Sequence, residues 1–258
     1  MKYLIVFRNT VEKALIYRSR IVTYAITGSF SPLLMIFIWS SFYQSGRSVG
    51  GFSYPELLSY YLATIIISIW GSAVHENVKE DIVNGELSNF IIKPYNYFLF
   101  RLAWELGWYV VKFILFIVPI SLFIALTHQP ITLHFTYWFI PAFILSYLLG
   151  FFLSFAVGLS AFFVTYIAGI RNTYNMLTEL ITGKLFPLSF FPPLTVSVLS
   201  FLPFFYLYYF PVQLLTGSLA LTKIIEGLLI QLVWTLLLGI FFQSLWNKGI
   251  KKFSAVGL

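Results

Sequence analysis

Between Lys184 and Lys223 the chain has no Asp, Glu, Lys or Arg, yet five prolines interrupt the stretch, at Pro187, Pro192, Pro193, Pro203 and Pro211. So long an uncharged run is too apolar for a solvated loop. It is also too broken for two plain membrane-spanning helices, because a proline inside a helix removes a backbone hydrogen bond and clashes with the preceding turn. Non-helical backbone at membrane depth is tolerated only where protein buries it or where it lines a wet cavity. Unbroken spans anchor a protein, whereas broken ones mark its working part.

The remaining sequence points to the same solvent. Of 258 residues, 59% are hydrophobic, 21% aromatic and 10% charged, whereas soluble domains carry about 25% charged residues. Mean hydropathy is +0.87. Several stretches exceed the roughly 18 apolar residues that suggest a span, which defines an all-α, polytopic integral membrane protein. Net charge is +7, but the charges fill the gaps between apolar stretches and form no single basic patch, so nucleic acid is not the expected partner. Cysteine is absent, which excludes a disulfide framework and a thiolate site. The opening residues do not read as a signal peptide, since Arg8, Glu12 and Lys13 interrupt any apolar region. Residues 1–20 read instead as an amphipathic helix on the membrane surface, with Tyr3, Leu4, Phe7, Val11, Ala14 and Leu15 along one face.

A first span is expected over 21–43 and a second over 55–74, followed by the polar segment 75–101. Between Lys112 and Arg171 there is again no charged side chain, enough for two spans joined by a turn over 127–135. A fifth helix starts near Arg171 and runs into the broken region, and a last span covers 227–246. With six crossings, Arg8, Arg18, Arg20, Lys93, Arg171, Lys248, Lys251 and Lys252 fall on one side, and Arg47 and Lys223 on the other. That asymmetry predicts cytoplasmic termini. Trp104, Trp108, Tyr137, Trp138 and Trp246 lie near span ends, as an aromatic belt requires. No internal repeat is visible.

Three places could carry function. The segment HENVKEDIVNGELSNFIIKPYN sets Val78, Ile82, Val83, Leu87, Phe90 and Ile91 at helical spacing, punctuated by Gly85 and Pro94. It reads either as an ordinary amphipathic loop or as a docking helix that offers an apolar ridge to a cytosolic partner. On the fifth helix, Asn172, Asn175, Glu179 and Thr182 form one polar stripe. Glu179, expected inside the membrane boundary, either faces a water-filled translocation path or is hydrogen-bonded to a neighbouring helix purely for packing. Lys184 could snorkel to the far interface. On the third span, Arg101, Glu105, Trp108 and Lys112 share a face where Arg101 and Glu105 can pair, read as solvated interfacial charge or the wall of a cytosolic vestibule. His128 and His134 lie in an outer turn without a nearby carboxylate, a weak basis for a metal site, and no metal is expected. Phosphate-loop, zinc-protease and nucleophile-elbow motifs are missing, so the chain by itself is not expected to be an enzyme. An intramembrane enzyme would need a second catalytic group at the depth of Glu179, and only Lys184 is near.

The run NVKEDIVNGELSNFIIKPYNYFLFRL resembles the cytoplasmic elbow of type-2 ABC exporter permeases, where charge leads through G-x-L to an apolar run and Pro. The run from Leu180 to Leu219, with F-P-L, F-P-P, L-P-F and a later P, is similar to a bacterial branch of that family, as is the ending WNKGIKKFSAVG. The resemblance implies one permease domain over 1–258: six transmembrane helices, the N-terminal interfacial helix, a cytoplasmic coupling helix in the 75–100 elbow, and two re-entrant half-helices over 186–222 before the last span. Two permeases, identical or sister chains, would sit in a bacterial inner membrane on two ATP-binding subunits, with ATP and Mg bound there and no cofactor on this chain. Glu80, Asp81, Gly85, Glu86, Leu87 and Pro94 would then couple to the ATPase. Pro187, Phe190, Pro192, Pro193, Pro203 and Phe205 would form the outer gate. The cargo would be an amphipathic or lipid-like molecule leaving the cytoplasm or inner leaflet. The family's final Gly-Gly is here Gly257-Leu258. The alternative is a stand-alone secondary transporter or channel with Glu179 as its proton or ion site.

Overall fold

A computed structural model describes residues 2–17, 19, 34–43, 52–127, 131–164, 166–217 and 219–253. The earlier part of the expected first span lies outside these residues, as do Arg47, His128 and the tail 254–258. Every regular element among the described residues is helical.

Helix α1 (Lys2–Ile16) packs along α6 (Tyr97–Thr127) through Thr10 and Ala14. The crossing falls at Gly107, where a Cβ would stand 2.8 Å from Thr10 Cβ and 2.9 Å from the Phe7 carbonyl oxygen. Leu4, Leu15 and Ile16 point away from the protein and stay exposed. The amphipathic helix therefore has two apolar surfaces, one packed on α6 and one exposed. Helix α2 covers the described residues Leu34–Tyr43. Helix α3 (Tyr54–Ser68) begins where the Ser53 amide and hydroxyl both donate to Glu56 at 2.8 Å, with Pro55 in the first turn. Its residues are buried from Leu57 to Ile65, as a helix apolar on every side must be.

Helices α4 (Val74–Val83) and α5 (Ser88–Ile91) occupy the segment expected to be the elbow, and α4 lies against α7 (Phe139–Leu159). A 3-10 turn, Ser160–Phe162, extends α7. Helix α8 (Ala168–Leu180) follows, and α11 (Leu221–Ile250) runs beside α7. Among the described residues, Phe139–Phe162 and Leu221–Ile250 are long and apolar enough to cross a membrane, at 24 and 30 residues. The 31-residue α6 is longer still. The expected fifth helix is shorter: α8 has 13 residues, about 20 Å at 1.5 Å per residue, and stops before Gly183, which holds a φ of 83°.

The proline-rich stretch is bent, and its prolines begin elements more than they break them. Pro192 and Pro193 open α9 (Pro193–Leu199), Pro203 opens a 3-10 turn (Pro203–Tyr206), and Pro211 lies in the first turn of α10 (Tyr209–Leu215). First-turn N–H groups have no intrahelical partner, so proline costs little there. The two arms, Pro193–Leu199 and Pro203–Leu215, meet at 87°. The second arm is buried against α3 through Tyr209, Phe210 and Val212, while Leu194, Val198 and Phe201 of the first remain exposed.

Side chains from straight helices satisfy the irregular backbone. Tyr60 and Tyr61 hydroxyls donate to the Gly183 and Leu185 carbonyls at 2.5 and 3.0 Å. Ser146 Oγ donates to the Leu207 carbonyl at 2.6 Å, and Gln231 Nε2 to the carbonyls of Ala142 and Tyr206 at 2.9 and 3.1 Å. This is how non-helical backbone becomes tolerable away from water.

Candidate functional site

The segment 72–81 is tied by polar side chains to three different helices. Ser72 Oγ donates to the two Glu105 carboxylate oxygens on α6 at 3.1 and 2.9 Å. The His75 amide donates to Ser154 Oγ on α7 at 3.2 Å, and His75 Nδ1 lies 2.9 Å from the same oxygen. Glu76 pairs with Arg171 on α8 at 3.0 Å. Asp81 accepts from Arg101 Nη2 and from the Tyr97 hydroxyl, both on α6. Close approach to α7 depends on Gly158, where a Cβ would meet Val78 Cβ at 2.7 Å and the His75 backbone at 3.0 Å. Burial holds His75 below its ordinary imidazole value; Glu76 pulls it up in part and Arg171 pushes it down.

The six elbow residues singled out from sequence divide by face. Asp81 and Leu87 point into the protein, at 4% and 0% exposure, and Gly85 turns the chain with a φ of 75°. The Leu87 amide caps the Asp81 carbonyl at 2.9 Å. Glu80, Glu86 and Pro94 are exposed, together with Val83, Ile91 and Ile92. The expected apolar ridge is corrected accordingly: Val78, Ile82 and Leu87 pack against α7 and its neighbours, so they are unavailable to a partner.

Two adjoining cavities open beside this segment. The smaller, about 340 Å³, is lined by Gly71, His75, Tyr174, Glu179, Lys184 and Tyr208 among others. The larger, about 680 Å³, has Glu80, Trp104, Glu105, Trp108 and Lys112 in its wall. Lys184 lines both. It forms an ion pair with Glu179 and turns inward, which corrects the expected outward snorkel. Of the polar stripe, Asn175 and Glu179 reach the smaller cavity. Asn172 is exposed outside it, and buried Thr182 donates to the Thr178 carbonyl at 2.5 Å.

The residues expected to gate are only partly gathered. Phe190 packs edge-on against Trp39 and Phe52, with ring centroids 5.5 and 5.7 Å apart. Phe205 packs on Tyr206 and Tyr209, and Pro187 and Pro203 are buried, whereas Pro192 and Pro193 are exposed.

Glu105 departs most from expectation. It is 5% exposed and its carboxylate is held by Ser72 and by the Tyr109 hydroxyl at 3.1 Å, while Arg101 is taken by Asp81. A solvated interfacial carboxylate is therefore excluded, and the vestibule-wall reading fits its place in the larger cavity. Its i,i+4 spacing from Arg101 concealed it, because that spacing suggested a pair already neutralised.

Long apolar helices, a bent proline hairpin with one arm buried against α3 and a polar elbow joined to three helices describe a multi-pass membrane protein. The chain matches the model of the ABC-2 family transporter proteins over residues 30–257 and belongs to that family. No curated protein matches it significantly. It is an ABC transporter permease subunit, and membrane subunits of this family work with ATP-binding subunits.

Proposed function

We propose that this chain is the permease of an ATP-driven exporter that moves an amphipathic or lipid-like molecule out of the cytoplasm or inner leaflet of a bacterial cell membrane. It crosses that membrane six times with both termini in the cytoplasm, and works as a pair, with a second copy or a sister chain. Two ATP-binding subunits carry the ATP and Mg, and this chain binds neither. The proline hairpin is re-entrant from the outer side and closes the path there.

One observation carries this reading. The elbow exposes Glu80, Val83, Glu86 and Ile92, while Ser72, His75, Glu76 and Asp81 tie the same segment to α6, α7 and α8. A force applied to the exposed face is delivered to three helices at once. Two of them line the cavities through Glu105 and Glu179. The stand-alone alternative gains nothing here, since the Glu179 carboxylate is held by Lys184.

The test is co-expression with the neighbouring ATP-binding subunit. The subunit should co-purify and its ATP hydrolysis should drive efflux. Glu86→Arg, a reversal on the exposed face, should weaken the complex and uncouple hydrolysis from efflux. Efflux that persists without the subunit, or is untouched by Glu86→Arg, overturns the reading.

A further inference from the structure

The larger cavity is lined by Glu76, Glu80, Glu105, Lys112 and Lys184, and two of opposite sign on α6, Glu105 and Lys112, are kept apart. Glu105 and Lys112 lie seven residues apart on α6, about two turns and 10 Å along the axis, so both face the same space. Tyr109 stands between them. Its hydroxyl donates to Glu105 at 3.1 Å, and Lys112 Nζ lies over its ring, 5.1 Å from the centroid. Among the described residues no Lys or Arg nitrogen comes within 4.0 Å of the Glu105 carboxylate, and no carboxylate comes within 4.0 Å of Lys112. Glu105 thus sits at 5% exposure with the Ser72 and Tyr109 hydroxyls on its carboxylate and no cation among the described residues within ion-pair distance. Tyr109 contacts both groups from its place between them on α6.

The surroundings say what completes them. Trp104 and Trp108, one turn apart on α6, pack with rings 5.9 Å apart and both line the cavity, and the Arg101 guanidinium already lies over Trp104, 5.7 Å from the centroid. Indole faces beside a carboxylate suit an ammonium group, quaternary ammonium included. Beyond Lys112 the wall becomes apolar at Phe116 and Ile69. Along α6 the order is thus aromatic and acid, then amine, then apolar.

Resting on the export reading above, we propose that this cavity binds the zwitterionic head of an amphiphile, an ammonium outboard of an anionic group. The ammonium meets Glu105 and Trp108; the anion, a phosphate or carboxylate, meets Lys112; and the tail starts at Phe116. Glu105 and Lys112 set specificity together, and neither alone suffices.

The full chain, purified in maltoside, is titrated with a short-chain phosphocholine lipid, an alkyl trimethylammonium and an alkyl phosphate of equal chain length. The phosphocholine should bind at least about tenfold tighter than either singly charged probe, the worth of one charge-assisted contact. Glu105→Gln should bring it down to the alkyl phosphate, and Lys112→Gln to the trimethylammonium. Lys112 makes no hydrogen bond among the described residues, so Lys112→Gln keeps the test decisive if Glu105→Gln proves unstable. Equal binding of all three probes, or parental affinity in both variants, overturns the site. Competition by free glycerophosphocholine indicates a soluble zwitterion, and its failure to compete indicates a lipid; both support the site. A chain that recruits its ATP-binding subunit but does not discriminate loses this site alone. One that discriminates without recruiting it loses only the export reading.

Discussion

Asp81 and Arg101 form a buried ion pair between α4 and α6, with side-chain exposures of 6% and 8%. The Tyr97 hydroxyl donates to the same carboxylate, and Arg101 Nε donates to the Tyr97 oxygen at 3.2 Å. Neither charge reaches the surface, and the elbow cannot swing from α6 without separating them.

Removing one partner leaves the other charge buried and uncompensated, which costs about 3–5 kcal/mol. Asp81→Leu and Arg101→Leu should each lower the thermal midpoint of the purified permease sharply. The double variant should recover a large part of the loss, because two apolar groups replace two charges. Additive losses in the double variant would show that the pair does not hold the elbow.

Gly158 and Gly169 make a matched pair of probes. A Cβ at Gly158 would meet Val78 Cβ at 2.7 Å, whereas one at Gly169 meets nothing within 4 Å. Gly158→Ala must therefore push α4 off α7, at about 1–3 kcal/mol for overpacking. Gly169→Ala, inside α8, should be neutral or stabilising by up to about 1 kcal/mol. Thermal midpoints of the two variants, measured side by side, check this. Equal behaviour would mean that the α4–α7 contact is looser than the geometry requires.

What could be read without coordinates was whatever acts locally. Long apolar runs became α7 and α11, and the prolines between Pro187 and Pro211 marked a bend. The elbow's spacing was legible too, though its direction was not. Val74, Val78, Asp81 and Ile82 share a helical face, which could have warned that Asp81 turns inward with its apolar neighbours. Charge pairing was beyond reach, because Arg101 had a candidate partner four residues away and took one twenty residues away. Lys184 is similar: snorkelling is a default for an isolated cation, whereas the turn at Gly183 sets it against Glu179, five residues upstream.

His75 gives the permease a pH dependence of known sign. Its value is depressed below 6.5, first by burial, with Glu76 opposing and Arg171 adding. The unfolded chain then binds the proton more readily than the folded one. This contribution to stability is complete above pH 6.5, falls as pH drops below it, and levels off once the folded value is passed. His75→Asn should flatten that part of the profile, with midpoints of both forms followed from pH 7.5 to 5. An unchanged profile would assign the slope to another group.

Gly71 and Tyr208 bring the proline hairpin against the segment that leads into the elbow. A Cβ at Gly71 would lie 2.6 Å from the Tyr208 hydroxyl oxygen but 3.9 Å from the nearest ring carbon, Cζ. Both residues line the smaller cavity, so this contact is where hairpin and elbow meet across it. Gly71→Ala should destabilise the permease by about 1–3 kcal/mol and reduce transport, because the hydroxyl must give way. Tyr208→Phe removes the offending atom and no hydrogen bond among the described residues. In that background Gly71→Ala should cost much less, with a coupling of about 0.5–3 kcal/mol between the two sites. The Ser68 carbonyl oxygen, at 3.1 Å, remains a lesser obstacle, so part of the cost persists; a double variant as impaired as the sum of its parts would mean that the two elements do not touch during transport.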